Sequence, residues 1–394
     1  MKEIREILNA LAVMRARGEP AALATIIRVA GSTYRRAGAR LLIRQDETTV
    51  GSISGGCLEG DVAEAAREVL RTGRARLMTY DLTADDDAVW GLGLGCNGKI
   101  EVFVEAVRPD ATPDVAALLQ ACIDDRKFAA LATVIASPSE SDRTVGARLF
   151  VPEEGRVAGS LGDPALDARV TALARRQIAD GKTTTVPVDL PGGRGELFIE
   201  VITPPLPLLV CGAGHDVVPL VRQAHEQGWW VMVADSRPAF ATRARFPQAD
   251  EVFLVEDRDV GRTVRIDRQT FVVVMTHNFL HDLEILRGLL ATPARYIGLL
   301  GPRARTDKLL AELERTGVTL DDAQRARLYG PVGLDTGADS PEEIALSILA
   351  EILAVRNGRE TTSLRNRRRP IHDPAGAESV AASLADAPDR PRRG

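Results

Sequence analysis

The sequence predicts an α/β protein: a duplicated α+β module, then a doubly wound parallel sheet. Three observations predict it. One block of apolar and glycine residues occurs twice in the first half. A proline-rich break, Thr203-Pro204-Pro205-Leu206-Pro207, closes that half. Beyond the break, short apolar runs alternate with amphipathic stretches, as strands joined by crossover helices do.

The first predicted element is a helix over residues 2–17, with Ile4, Ile7, Leu8, Leu11 and Met14 on one face and Gly18 as its stop. The repeat follows. Ala21-Ala22-Leu23-Ala24-Thr25-Ile26-Ile27 returns as Ala129-Ala130-Leu131-Ala132-Thr133-Val134-Ile135, and Gly38-Ala39-Arg40-Leu41 as Gly146-Ala147-Arg148-Leu149. Gly51-Ser52-Ile53 returns as Gly159-Ser160-Leu161, and Phe103-Val104-Glu105 as Phe198-Ile199-Glu200. Within the first copy, strands are predicted near 22–29, 39–43, 50–54, 75–80 and 100–105, with a helix over 60–71. The copies, 1–110 and 111–204, are compatible with a pseudo-twofold pair or with one continuous sheet.

Proline lacks the N–H that a sheet needs, so regular structure should stop at the break. After it, strands are predicted at 208–210, 229–234, 251–255, 270–275 and 296–300. The first ends in Cys211-Gly212-Ala213-Gly214-His215-Asp216-Val217, a glycine turn leading into a helix. This is Rossmann-like over 205–358, although Val217 stands where a third glycine is usual. The last helix, 341–355, should be capped by Ser340, with Pro341 at its first position and Glu342 and Glu343 in its first turn. Residues 359–394, with a basic run and then an Ala/Asp/Pro-rich end, are expected to be disordered.

Composition excludes several roles. A net charge of −5 gives no general attraction to nucleic acid or to anionic lipid. No apolar stretch is long enough to span a membrane. The charged start reads as a helix rather than a signal peptide, so the expected compartment is cytoplasmic. Cys57, Cys96, Cys122 and Cys211 form no CxxC pair.

Chemistry is expected where glycine frames a thiol or a strand end. In Ser54-Gly55-Gly56-Cys57-Leu58-Glu59-Gly60, consecutive glycines can turn N–H groups inward as an anion nest, and Cys57 stands at a helix entrance. Glu59 and Asp61 oppose a thiolate there. The alternative is a tight structural turn around a buried cysteine. The corresponding stretch of the second copy, Gly159-Ser160-Leu161-Gly162-Asp163-Pro164, has no cysteine. A second glycine loop, Trp90 to Gly98, carries Cys96 and also has no cysteine counterpart. Two thiols in glycine loops suit one soft ligand. Cys122 and Cys211 read as packing residues.

Around the Rossmann-like turn, Gly212, Gly214 and His215 would face a pyrophosphate, and Asp235 a ribose diol. His277 is expected to line the pocket. His277 and His281 are spaced for one helical face, but loop and N-cap chemistry is the simpler reading of Thr276-His277-Asn278. Arg303, at another strand-to-helix turn, is placed to hold a phosphate.

Taken together, these stretches resemble the XdhC/CoxI family of accessory proteins for molybdenum hydroxylases such as xanthine dehydrogenase. The likeness rests on Gly31-Ser32-Thr33-Tyr34-Arg35-Arg36-Ala37-Gly38, Ser54 to Gly60, Gly95-Cys96, Gly212 to His215, Thr276-His277, Gly301-Pro302-Arg303, Gly333-Leu334-Asp335 and Ser340 to Ala345. The resemblance implies binding of the molybdenum cofactor (molybdopterin) and its protection while a cysteine desulfurase supplies the terminal sulfur. It also implies delivery to an apo-hydroxylase. A nucleotide such as NAD(P) in the Rossmann-like crevice and a homodimer are further expectations. The alternatives are an NAD(P)-dependent oxidoreductase and a redox or metal sensor built on Cys57 and Cys96.

Overall fold

The computed structural model describes residues 2–82, 97–138, 144–190 and 192–367. Cys96 and most of its glycine loop, and the tail beyond residue 367, lie outside the described residues. The chain divides into two compact units, Glu3–Pro204 and Pro205–Asn366, at the proline-rich break.

In the first unit, the first copy comprises α1 (Lys2–Arg17), β1 (Ala21–Ser32), β2 (Arg40–Arg44), β3 (Thr49–Gly51), α2 (Glu59–Thr72), β4 (Arg76–Asp81) and β5 (Asn97–Val107). The second comprises α3 (Val115–Asp124), β6 (Ala129–Ala136), β7 (Arg148–Pro152), β8 (Ala158–Ser160), α4 (Pro164–Asp180), β9 (Thr184–Leu190) and β10 (Gly193–Ile202). Each copy forms its own antiparallel sheet, in the order β3-β2-β1-β5-β4 and β8-β7-β6-β10-β9. The two copies are therefore not one continuous sheet.

Side-chain alternation explains how the sheets pack. Ala22, Ala24 and Ile26 of β1 face Val62, Ala66 and Val69 of α2. Ala130, Ala132 and Val134 of β6 face Val170, Leu173 and Ala174 of α4 in the same way. The opposite faces meet one another. Register shifts in β1 at Ile27 and in β6 at Ile135 put one extra residue into each strand. Such bulges re-aim side chains, and Ile27 and Ile135 cluster with Phe103 and Phe198 between the copies.

Two reciprocal ion pairs flank that cluster. Arg40 of β2 pairs with Glu200 of β10, and both are under 10% exposed. Arg148 of β7 pairs with Glu105 of β5 at 2.5 Å. The repeat relates these residues to each other, so each copy gives one arginine and one glutamate. Arg28 adds a bridge, contacting Glu101 at 2.5 Å and Glu196 at 3.1 Å.

The second unit runs β11 (Pro207–Cys211), α5 (Val217–Glu226), β12 (Trp230–Asp235), β13 (Glu251–Leu254), α6 (Val260–Thr263), β14 (Phe271–Val274), α7 (Phe279–Leu290), β15 (Tyr296–Leu299), α8 (Arg303–Arg315), α9 (Asp322–Ala326), β16 (Leu328–Tyr329) and α10 (Pro341–Arg356). Its sheet is parallel, ordered β13-β12-β11-β14-β15-β16. In chain order that is 3-2-1-4-5-6, the doubly wound Rossmann order, with the switch point between β11 and β14.

Both faces of this sheet are covered. Val217, Leu220, Ile348 and Ile352 of α5 and α10 seal one face, and Leu283, Leu286, Leu309 and Leu313 of α7 and α8 the other. Each such side chain is worth roughly 1.5–3 kcal/mol when fully buried. Val217, which replaces the third glycine, is fully buried in this packing. Ser340 caps α10 as expected, and Glu343 completes a capping box with it. Among the described residues no helix is long and apolar enough to cross a membrane.

Candidate functional site

In the first unit the turn from Ser52 to Glu59 joins β3 to α2. Gly55 and Gly56 have φ of 89° and 116°, values a side chain would strain. Their turn does form a nest, but the anion within it is the protein's own. The Glu59 carboxylate accepts N–H bonds from Ile53 (3.2 Å), Ser54 (2.9 Å), Gly56 (2.9 Å) and Leu58 (3.2 Å). It also accepts the hydroxyls of Ser52 and Ser54. Burial pushes this carboxyl up, but the hydrogen bonds from Ser54 and the other donors outweigh it and bring the pKa to about 2. The expectation that this nest is free for an outside anion is therefore corrected. What Gly56 offers instead is open space, since among the described residues nothing lies within 4 Å of the place its Cβ would take.

Cys57 sits on this turn and is exposed. The structure thus removes the reading of a buried cysteine. The repeat sharpens the point. Ser160 and Asp167 form a smaller latch of the same spacing in the second copy, with Ser160 Oγ and Leu161 N each donating to the Asp167 carboxylate at 2.7 Å. Leu58 and Leu166 fill equivalent core positions, 5% and 3% exposed. Cys57 then corresponds to Ala165, which is also exposed. The turn therefore folds without a thiol.

The surroundings of Cys57 are occupied by committed groups. Asp61, expected to oppose a thiolate, accepts from Tyr80 Oη at 2.5 Å. The Tyr34 ring lies over Gly55, 3.4 Å from where a Cβ would stand, and the residue is 64% exposed. Any side chain at Gly55 would press on that ring.

In the second unit, the C-terminal ends of the strands form a crevice at the switch point. Gly212 has φ of 118°, and a Cβ there would lie 2.6 Å from the carbonyl oxygen of Met275. Only glycine lets β11 and β14 close together at this point. Gly214 and exposed His215 lead into α5, as expected. A cavity of about 150 Å³ beside them is lined by Gly212, Asp235, Arg237, Asp257, Asn278 and His281, among others.

Here several expectations change. Asp235 is buried, and its carboxylate accepts four N–H groups: Ala213 N (2.7 Å), Arg237 N (2.8 Å), Arg237 Nε (2.9 Å) and Arg237 Nη2 (2.7 Å). It latches the glycine turn to β12 and leaves no open face for a ribose diol. Burial raises its pKa, but the Arg237 hydrogen bonds and charge prevail and lower it.

The two histidines part company, because Asn278 caps α7 and His277 stands outside the helix at φ 62°. His277 Nε2 meets Asp216 at 2.7 Å, and His281 Nδ1 meets Asp257 at 2.5 Å. His281, not His277, lines the cavity. Burial raises the Asp257 carboxyl, against the lowering charge and hydrogen bond of His281.

Arg303 opens α8 and is exposed. Arg305 is the inward arginine, bound to buried Asp282 at 2.6 Å. Cys211 and Cys122 are core residues, and burial pushes both thiols up. Sequence reasoning missed Arg237, Asp257 and Arg305. Arg237 follows Asp235 by two residues, a signal that was available.

A duplicated α+β module followed in the chain by a Rossmann unit defines a two-part α/β class. Comparison with known proteins places the chain in it. The description "XdhC and CoxI family" matches residues 14–81 and again 122–189, and "XdhC Rossmann domain" matches 208–352. The protein belongs to the XdhC/CoxI family.

A relative from Bacillus subtilis (strain 168), named as a probable subunit of xanthine dehydrogenase, is 33% identical over 338 residues, covering 86% of this chain and 94% of that one. The molybdenum cofactor insertion chaperone PaoD of Escherichia coli K12 is 23% identical over 346 residues, covering 88% and 86%. A crystal structure of a protein from Bacillus halodurans, described as a xanthine dehydrogenase, superposes with a TM-score of 0.73 at 34% identity, covering 92% and 98%.

Proposed function

We propose that this protein is an accessory factor that binds the molybdenum cofactor, holds it while a cysteine desulfurase supplies its terminal sulfur, and inserts it into an apo-hydroxylase of the xanthine dehydrogenase type. The cofactor is cargo here. One observation carries the reading: Cys57 is exposed on a turn whose twin folds equally well around Ala165. A side chain that the fold does not need, and that solvent can reach, is available to a ligand.

The donor set fits the cargo. A thiol is a soft ligand suited to a molybdenum–sulfur centre. Among the described residues nothing obstructs the approach at Gly56, and the exposed Tyr34 ring beside Gly55 offers a flat face to a pterin. Support from outside the chain comes from the family and from the name of its E. coli relative. Cys96 belongs to the same proposal as a second thiol. A separate nucleotide is assigned to the Rossmann crevice near Gly212, Gly214 and His215.

The test is the pterin that copurifies when the protein is expressed with its cofactor pathway intact. Oxidised pterin fluorescence should fall severalfold in Cys57→Ala, while the melting temperature stays within a degree or two. Equal pterin retention by the variant would remove Cys57 from the site. The oxidoreductase alternative demands nicotinamide turnover with a small substrate, read as an absorbance change in the same preparation.

A further inference from the structure

The loop after β12 holds a constellation that cofactor insertion leaves unused. The Asp235 carboxylate is buried and fully engaged, so a ribose diol would have to displace Arg237 to reach it. The Arg237 guanidinium, by contrast, is 45% exposed. Its Nη1 has no hydrogen-bond partner among the described residues.

Arg237 lies over the Phe240 ring, its Cζ 4.0 Å from the centroid, and the Arg245 Cζ stands 4.8 Å from the same centroid. Phe240 packs against the buried core of the unit. Arg245 Nη2 donates to the carbonyl of Ala213, which ties it to the glycine turn at 3.2 Å. One anchored ring thus holds two guanidiniums beside the place where a nucleotide ribose would lie.

The neighbouring carboxylates are answered. Asp235 is bound by Arg237, and Asp257 by His281. What stands open to solvent beside them is the Arg237 guanidinium. Guanidinium forks match phosphate geometry, and an arginine near the end of the second strand is how Rossmann domains accommodate a ribose phosphate.

We propose that the crevice selects nucleotides whose ribose carries a phosphate monoester, held by Arg237 and Arg245, over nucleotides with a free diol. This rests on the reading that the crevice takes a nucleotide, and it is independent of what Cys57 binds. Two common sources share the chemistry: a 2′-phosphate, as in NADP+, and a 3′-phosphate, as in coenzyme A.

Calorimetric titration of the full chain with NADP+, NAD+ and coenzyme A separates them. A phosphorylated ligand should bind about tenfold or more tightly than NAD+, a ratio set by one charge-assisted arginine–phosphate contact. Arg237→Lys, which keeps a charge on Asp235 but loses the fork, should shrink that ratio severalfold. Arg245→Ala, which does not touch Asp235, should do the same. Binding of coenzyme A but not NADP+ supports the proposal with the 3′ source. NAD+ binding as tightly as NADP+ and coenzyme A sinks the selectivity and spares the nucleotide reading. Variants that keep the full ratio also sink it. No binding of any of the three sinks both.

Discussion

Glu59 does at the level of one side chain what a bound anion does in many glycine turns. Its carboxylate satisfies four backbone N–H groups that α2 and the turn would otherwise leave open. Because the folded carboxyl titrates near 2, below its unfolded value, its stabilisation is complete above about pH 5. That contribution fades as pH falls through 4 toward 2. Glu59→Gln should therefore destabilise the first unit at pH 7 by about 1–3 kcal/mol. The gap to wild type in urea melts should close on acidification, and a gap that widens instead would contradict the latch. Cys57→Ala, with the exposed side chain off the core, should cost under about 0.5 kcal/mol. In the sequence, Glu59 reads as a charge opposing a thiolate. Its latch role needed the turn's geometry, although the equal spacing of Ser52–Glu59 and Ser160–Asp167 was there to compare.

Among elements, the interface between the two copies is built from what the repeat duplicates. Arg40–Glu200 and Arg148–Glu105 are one contact made twice, across a cluster of two isoleucines and two phenylalanines. Breaking a buried pair strands a charge, so Glu200→Leu should cost about 3–5 kcal/mol. Glu105→Leu should cost less, because Arg148 is 20% exposed and Arg40 only 9%. Arg40→Met combined with Glu200→Leu should recover most of the loss, and a double-mutant cycle in denaturant melts measures the recovery. The strands and helices themselves were legible, because period-2 and period-3.6 apolar spacing set them. The choice between paired sheets and one continuous sheet was not, since it turns on two bulges and on buried charges that no local pattern marks.

For the whole molecule, the proline-rich break separates two units that each own a core. A fragment covering residues 205–366 should fold alone and melt cooperatively by circular dichroism. A fragment that stays unfolded would show that the Rossmann unit depends on the rest of the chain. The parallel sheet, its 3-2-1-4-5-6 order and the glycine turn at its switch point follow from strand–helix alternation and a single motif. The chemistry at the crevice was less legible. Asp235, His277 and Arg303 were chosen by analogy of position, whereas Arg237 lies open beside buried Asp235, and His281 and Arg305 take the inward places. Sequence position names a loop, but side-chain partners decide which of its residues a visitor meets.

The shared latch gives the protein a built-in reference for its exposed cysteine. Ala165→Cys would install a second thiol on a frame of like construction but without the paired glycines. The alkylation rates of the two sulfurs, followed in one tube by mass spectrometry, would then isolate what the diglycine contributes to reactivity. A faster sulfur at 57 would credit the glycine turn ahead of α2, and matched rates would show that the first turn of α4, where residue 165 lies, serves a sulfur equally well.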